Sequence, residues 1–355
     1  MEKHEVVIVG AGPAGLKAAE LLSEAGKDVL VIEKEKEEKI GDKPCAGGLF
    51  SHAMKYFPEE LYENRINSAT FYLGGKKHIV GSDEPFGVLV SRLDIGQYQL
   101  RLAKEAGAQI MAGTLVKGLD KEKSEVILND ERIGYRYLIA ADGSTSIIRR
   151  ALGYNTKQMV QCIEYPVPGN FEDLEIHFDL KRYGLTYYWI FPHKGYASVG
   201  TGTFPTMMPA GEMNERFNRW AENNHIDLAK AKRRAHPEYM GYHGFRHGNI
   251  FLTGDAASFI CTVSGEGIYQ AIRSGEIAAK CITDPEWNYK PELQDLLKYH
   301  RYGGWAIPWM VAFPGLSRAY IEGLGGMLMP AISTIVPVAG SLKFLQRAAF
   351  GILGK

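Results

Sequence analysis

Three carboxylates in this 355-residue chain stand just past the ends of short apolar runs. Glu33 follows Val29–Ile32, Asp142 follows Tyr137–Ala141, and Asp255 follows Ile250–Thr253 and Gly254. An acid at the C-terminal end of a buried parallel strand is placed to accept hydrogen bonds from ribose or ribityl hydroxyls. The first of them has a full dinucleotide setting. VVIVGAGPAGLKAAELLSEAGKDVLVIEK, from Val6 to Lys34, reads as strand, glycine turn, helix and strand. Gly10 permits a tight turn, Gly12 lets a pyrophosphate approach the backbone, and Gly15 lets the helix pack on the strand. Pro13 and Ala14 open that helix, whose free N–H groups and positive dipole end suit phosphates. The acid expected to hold the ribose is Glu33, followed by Lys34.

A second glycine cluster, Gly265-Glu266-Gly267, opens a helix at Ile268. Its positive end suits a ligand that gathers negative charge, such as a reduced flavin. A third glycine-rich loop, GDKPCAGGLF from Gly41 to Phe50, carries Cys45, Ala46 and Gly47. Cys45 is either a group at a reactive site or a packing cysteine. His52 is a weaker candidate, and the other histidines, His243 and His247 included, suggest no site.

The stretch YYWIFPHKGYASVGTG, Tyr187–Gly202, alternates as a strand. It sets Tyr187, Trp189 and Phe191 on one face and Tyr188 and Ile190 on the other, and Pro192 is expected to end it. That aromatic face either lines a pocket or belongs to the core.

Positioning these groups takes more than one βαβ unit. After Lys39 the rhythm departs from repeated β-α units; Ala69–Val90 and the runs within 158–204 read as antiparallel strands. Lys plus Arg and Asp plus Glu both number 41, so no global charge points to nucleic acid. Cys45, Cys162, Cys261 and Cys281 lie far apart, with neither metal-ligand nor C-x-x-C spacing, which favours a reducing, cytoplasmic setting. The N-terminal residues run straight into a strand with no signal segment. Gly323–Leu342 carries no charge, but Pro330 and Pro337 interrupt it, and Leu342, Leu345, Ala349 and Leu353 then alternate with Lys343 and Arg347. A spanning helix, a cap on the pocket, and a segment lying on the membrane surface are the three readings, the last favoured.

GAGPAG, then ADGSTSIIRR, then GDAASFICTVSGEGI resembles the ordered signature of FAD enzymes built like p-hydroxybenzoate hydroxylase. PCAGGL and YYWIFP are similar to motifs of the geranylgeranyl reductase family within it. The likeness runs from about residue 5 to about residue 280. It implies an α/β chain: a Rossmann-type FAD-binding domain (1–66, 89–157, 244–285), an inserted, mainly antiparallel sheet domain for substrate (67–88, 158–243), and a helical, apolar, membrane-facing C-terminal region (286–355). It implies FAD held by Gly10, Gly12, Pro13, Ala14, Gly15, Glu33, Lys34, Cys45, Ala46, Gly47, Arg92, Asp142, Gly254, Asp255, Gly265, Gly267 and Ile268. Of these, Cys45, Gly265 and Gly267 would lie nearest the chemistry. Tyr187, Trp189, Phe191 and Pro192 would wall the prenyl cavity. Thr262 and Ser258 depart from the family's proline and frequent glycine.

The resemblance implies a reductase of isoprenoid double bonds, with a geranylgeranyl lipid as substrate, peripheral to the cytoplasmic membrane face. No second G-x-G-x-x-G holds a nicotinamide, so the electron donor is either transient NAD(P)H or a ferredoxin-like protein. The rivals are a flavin monooxygenase or halogenase of the same fold and an electron-transfer flavoprotein passing electrons to quinone. The halogenase motif W-x-W-x-I-P is not met at Tyr187 and Phe191.

Overall fold

Val6, Val7, Ile8 and Val9 are buried because strands flank them on both sides. Glu2–Val9 pairs in parallel with Val29–Ile32 and with Arg132–Ala140. Ile250–Leu252 adds in parallel beside Arg132–Ala140, and Gln109–Met111 beside Val29–Ile32. Parallel strands end at one edge of a sheet, so Glu33, Asp142 and Asp255 all emerge at that edge. The computed structural model describes residues 2–298, apart from 130, 156–158, 180, 185 and 262–264.

The helices Pro13–Glu24 and Ile268–Thr283 cross closely. A Cβ at Gly275 would lie 2.3 Å from the Ala14 carbonyl oxygen, so only glycine admits this approach. Trp287 and Tyr289 pack against the same core, to which the buried Leu293, Leu296 and Leu297 belong. The chain divides into two compact units. Among the described residues, one comprises 2–43, 92–159 and 238–298; the other comprises Pro44–Ser91 and Val160–Pro237. The division falls inside the Gly41–Phe50 loop, ahead of the boundary at 66 drawn from sequence. It does so because Gly48–Phe50 and Tyr62–Ile66 both pair with Gly87–Val90 in a three-stranded antiparallel sheet.

The second unit also carries the larger of its sheets, built around Met159–Pro168, Tyr196–Thr203, Tyr187–His193, Leu174–Phe178, Ser68–Leu73 and Lys76–Gly81, in that spatial order. Every junction among these is antiparallel except one. Leu174–Phe178 runs parallel to Ser68–Leu73, because that hairpin enters from far earlier in the chain. Two expectations shift here. The aromatic strand continues through Pro192 to His193, with Pro192 opposite Ala197, rather than ending at the proline. Gly87 and Val88 belong to the small sheet, not to the larger one.

The amphipathic helix Ala210–Asn223 buries Met213, Phe217 and Trp220 among Tyr188, Ile190, Ile163 and Val199. That cluster claims one face of the sheet. The opposite face carries Phe191, Trp189, Phe71, Ile176 and Phe178 in a separate cluster. Among the described residues no helix is long and apolar enough to cross a membrane. The segment 299–355, with the surface-active reading of its last residues, lies outside the described residues.

Candidate cofactor and substrate sites

Within the first unit the glycine turn is fixed by crowding on one side and open on the other. Gly10 has φ +101°, and a Cβ there would sit 2.3 Å from the Ala141 carbonyl oxygen. A Cβ at Gly15 would sit 2.0 Å from the Gly10 carbonyl oxygen. At Gly12 nothing lies within 4 Å of that position. The turn is therefore packed underneath and clear above, which is what a diphosphate approaching the backbone needs. Gly12 caps the helix without a side chain, and Pro13 takes its first position, where a missing N–H costs nothing. Glu33 accepts from the Ala11 N–H at 2.6 Å and the Glu35 N–H at 2.9 Å. Those bonds orient the carboxylate beside the turn while leaving lone pairs for a ribose hydroxyl. Lys34 points away, exposed and 3.8 Å from Glu35.

At the same sheet edge, Arg149 is buried and joins two motif loops. Its guanidinium donates to the carbonyls of Ser144 (2.6 Å), Ala256 (3.0 Å) and Asp255 (3.3 Å). Asp142 Oδ2 accepts from the N–H groups of Ile147 (2.7 Å) and Ile148 (3.2 Å), so half of this carboxylate organises the short helix Ile147–Ala151. Its other oxygen is buried and makes no hydrogen bond among the described residues. Burial raises its pKa, with the helix N–H groups opposing.

Gly254 N–H donates to Ser274 Oγ at 2.8 Å. Gly267 precedes the helix that begins at Ile268, and a Cβ on it would lie 3.6 Å from Asp255 Oδ1. Asp255 thus meets the Gly265–Gly267 turn, as the motif spacing requires. Its Oδ2 accepts from Lys43 Nζ at 2.6 Å, and Glu238 Oε1 stands 3.3 Å from the same ammonium. Burial alone would lower the Lys43 pKa, but the two carboxylates outweigh it and hold the value above the ordinary range. Glu238 is pushed up to about 7 by burial and by Asp255, against the pull of Lys43. Arg92 opens the helix Arg92–Glu105, and its buried Nη1 makes no hydrogen bond among the described residues. A clear space over Gly12, an orphaned guanidinium nitrogen and an orphaned carboxylate oxygen together fit an anionic, hydroxyl-bearing cofactor such as FAD.

In the second unit, Cys45 is half-buried and its Sγ accepts from the Gly47 N–H at 3.4 Å. Gly47 has φ +75°. The loop rests on the end of the aromatic strand: a Cβ on Gly48 would meet the Phe191 ring at 3.0 Å. His193 Nε2 lies 2.9 Å from the Ala46 carbonyl oxygen. Trp189 lies across Gly200, where a Cβ would fall 2.3 Å from its ring, and its Nε1 donates to Ser198 Oγ. Phe191 is buried, whereas Tyr187 and Trp189 are only partly so. Pro192 gives its carbonyl to Asn64 Nδ2 at 3.0 Å.

The sequence thus located the glycine turn, Glu33, Asp255 and the aromatic face. It assigned no role to His193, Lys43, Glu238 or Arg149. The available signal was that His193, Lys43 and Arg149 fall inside stretches already singled out. His52 is exposed, and His243 and His247 group around the Tyr154 ring. Thr262 lies outside the described residues.

The FAD-binding domain family matches residues 3–240 of the chain. Digeranylgeranylglycerophospholipid reductase 1 of Methanosphaera stadtmanae is 30% identical, over 82% of this chain and 78% of its own. The solved structure of a geranylgeranyl bacteriochlorophyll reductase-like protein from Thermoplasma acidophilum superposes at a TM-score of 0.71 and 24% identity, covering 85% of this chain and 83% of that one. A flavin-dependent brominase superposes at 0.69 and 17% identity over 99% and 98%. The two superpositions speak to the fold alone.

Proposed function

The chain belongs to the geranylgeranyl reductase family of FAD-dependent oxidoreductases, and on that premise we propose that it saturates isoprenoid double bonds in the geranylgeranyl chains of a membrane lipid. Saturation takes a hydride at one carbon and a proton at the other; bound and reduced, FAD would supply the hydride. The residues that would hold it are the Gly10–Gly15 turn and its helix at the diphosphate, Glu33 at the ribose, and Asp255 with Gly265 and Gly267 at the ribityl and ring end. Arg92 offers its orphaned guanidinium nitrogen to the same anion.

The chain's other task is to bind a substrate tail with no polar handle. The observation that carries the reading is the sheet face bearing Tyr187, Trp189 and Phe191, opposite the face that the Ala210–Asn223 helix occupies. Its Tyr187 and Trp189 rings remain partly exposed, with Ile176 and Phe178 beside them. Burying on the order of 300 Å² of prenyl surface there contributes about 7 kcal/mol before the chain's ordering cost is subtracted. Rigid rings supply this contact at low entropic cost. Cys45 is the candidate for a group beside the flavin, and a substrate resident in membranes brings the chain to the cytoplasmic membrane surface.

The test is anaerobic. Protein reduced with dithionite and given a geranylgeranylated glycerophospholipid should return lipid heavier by a pair of hydrogens for each double bond reduced. Unchanged lipid, together with NAD(P)H-driven oxygen consumption and an oxygenated or halogenated product, would transfer the assignment to the monooxygenase and halogenase group.

A further inference from the structure

His193 closes the aromatic strand, and only 2% of its side chain is exposed. Nδ1 lies 2.5 Å from Glu63 Oε2, and Nε2 lies 2.9 Å from the Ala46 carbonyl oxygen. A carbonyl oxygen only accepts, so Nε2 carries a proton. Glu63 Oε2 faces Nδ1, so the ring is held between a carboxyl group and a backbone carbonyl. Tyr196 stacks on the ring at 4.6 Å and 7°. The other side of the ring fills the space above Gly47, where a Cβ would fall 2.7 Å from Cε1. The path of Ala46 and Gly47 is thus moulded on this histidine, and Cys45 Sγ in turn accepts from the Gly47 N–H.

We propose that His193, held in place by Glu63, is the positioning residue for the Cys45 loop and ties that loop to the lipid-binding strand. Phe191, two residues before it, abuts Gly48, so two neighbouring residues of one strand grip three successive residues of the loop. A prenyl chain seated against Phe191 would press on the same grip. The functional part of the proposal rests on the reductase reading; the histidine clamp itself does not.

The experiment uses FAD-loaded, full-length protein with ¹⁵N-labelled histidine rings. The His193 resonances, assigned by their loss in His193→Gln, should report a proton on Nε2, and an unprotonated Nε2 would remove its bond to the Ala46 carbonyl and overturn the clamp. Alkylation of Cys45 by iodoacetamide, followed peptide by peptide, should accelerate about tenfold in His193→Gln and in the nearly isosteric Glu63→Gln, because a bond that closes the loop is lost. FAD content and thermal unfolding monitor folding in both variants. Unaltered alkylation in folded Glu63→Gln would sink the positioning role. With the prenyl lipid, both variants should show slower flavin reoxidation at unchanged lipid affinity; weakened affinity at an unchanged rate would assign His193 to the lipid wall instead. Should the protein fail to reduce lipid at all, the NMR and alkylation results still decide the clamp separately.

Discussion

Gly10 and Gly12 stand two residues apart and are glycine for different reasons. Gly10 is required by the fold, since φ is +101° and the Ala141 carbonyl blocks any Cβ. Gly10→Ala should therefore destabilise the protein by about 3 kcal/mol or more, seen as a lower denaturation midpoint even without cofactor. Gly12 has an ordinary backbone and clear space, so the cofactor alone has a claim on it. Gly12→Ser adds a helix N-cap and should leave the apoprotein as stable as before or slightly more so, while FAD affinity, measured by fluorescence titration, falls by about tenfold or more. Equal FAD affinity would remove the diphosphate from this turn. Trp189→Ala should weaken lipid binding and leave FAD content intact, because Trp189 and the glycine turn belong to different units. Unchanged lipid affinity would return the aromatic face to the core. Residues like Gly12 and Glu33 are legible in sequence because their roles depend on neighbours within one βαβ unit, whereas the Ala141 carbonyl that crowds Gly10 comes from far along the chain. Lys43 meets Asp255 across 212 positions, and His193 meets Ala46 across 147, so no local spacing records either contact.

At the scale of elements, the loop after Gly254-Asp255 carries two testable features. Ser258 is buried with φ +61°, a left-handed conformation that glycine adopts without cost. Its Oγ makes no hydrogen bond among the described residues. Ser258→Gly should raise stability by about 1 kcal/mol, read as a higher melting temperature. The departure from the family's frequent glycine at this position therefore has a conformational cost, one the sequence could flag but not value. Glu266, in the turn before the Ile268–Thr283 helix, is pushed up from 4.5 to about 7, chiefly by burial and against a Gln270 hydrogen bond. A carboxyl whose folded pKa is raised favours the folded state while it is protonated. Stability should thus decline as pH rises from about 4.5 to about 7, by on the order of 2 kcal/mol. Denaturant titrations of Glu266→Gln should show that part of the decline removed; an identical profile would place its cause elsewhere. The strands themselves were largely legible by alternation. Pro192 was misjudged because, next to a hairpin, a proline can occupy the end of a strand without leaving the ladder. The parallel junction between Leu174–Phe178 and Ser68–Leu73 depends on a pairing about a hundred residues apart in the chain, which alternation does not specify.

Over the whole molecule, two units divide the chemistry between a cofactor turn system and an aromatic sheet. The FAD half was readable as a motif series because each loop follows its own strand. The proposed substrate region was readable only as a face, since a prenyl chain would be recognised by area rather than by polar signature. The same fold serves a brominase at 17% identity, so architecture does not choose between alkene reduction and oxygen chemistry. The choice falls to the reduced flavin's partner. The decisive measurement is anaerobic stopped-flow reoxidation of the dithionite-reduced protein, mixed in parallel with a geranylgeranylated glycerophospholipid and with its fully saturated counterpart. The account requires reoxidation by the unsaturated lipid alone, with the hydrogens recovered in that lipid. Reduced flavin indifferent to both lipids, yet rapidly discharged by oxygen or a quinone, would contradict it.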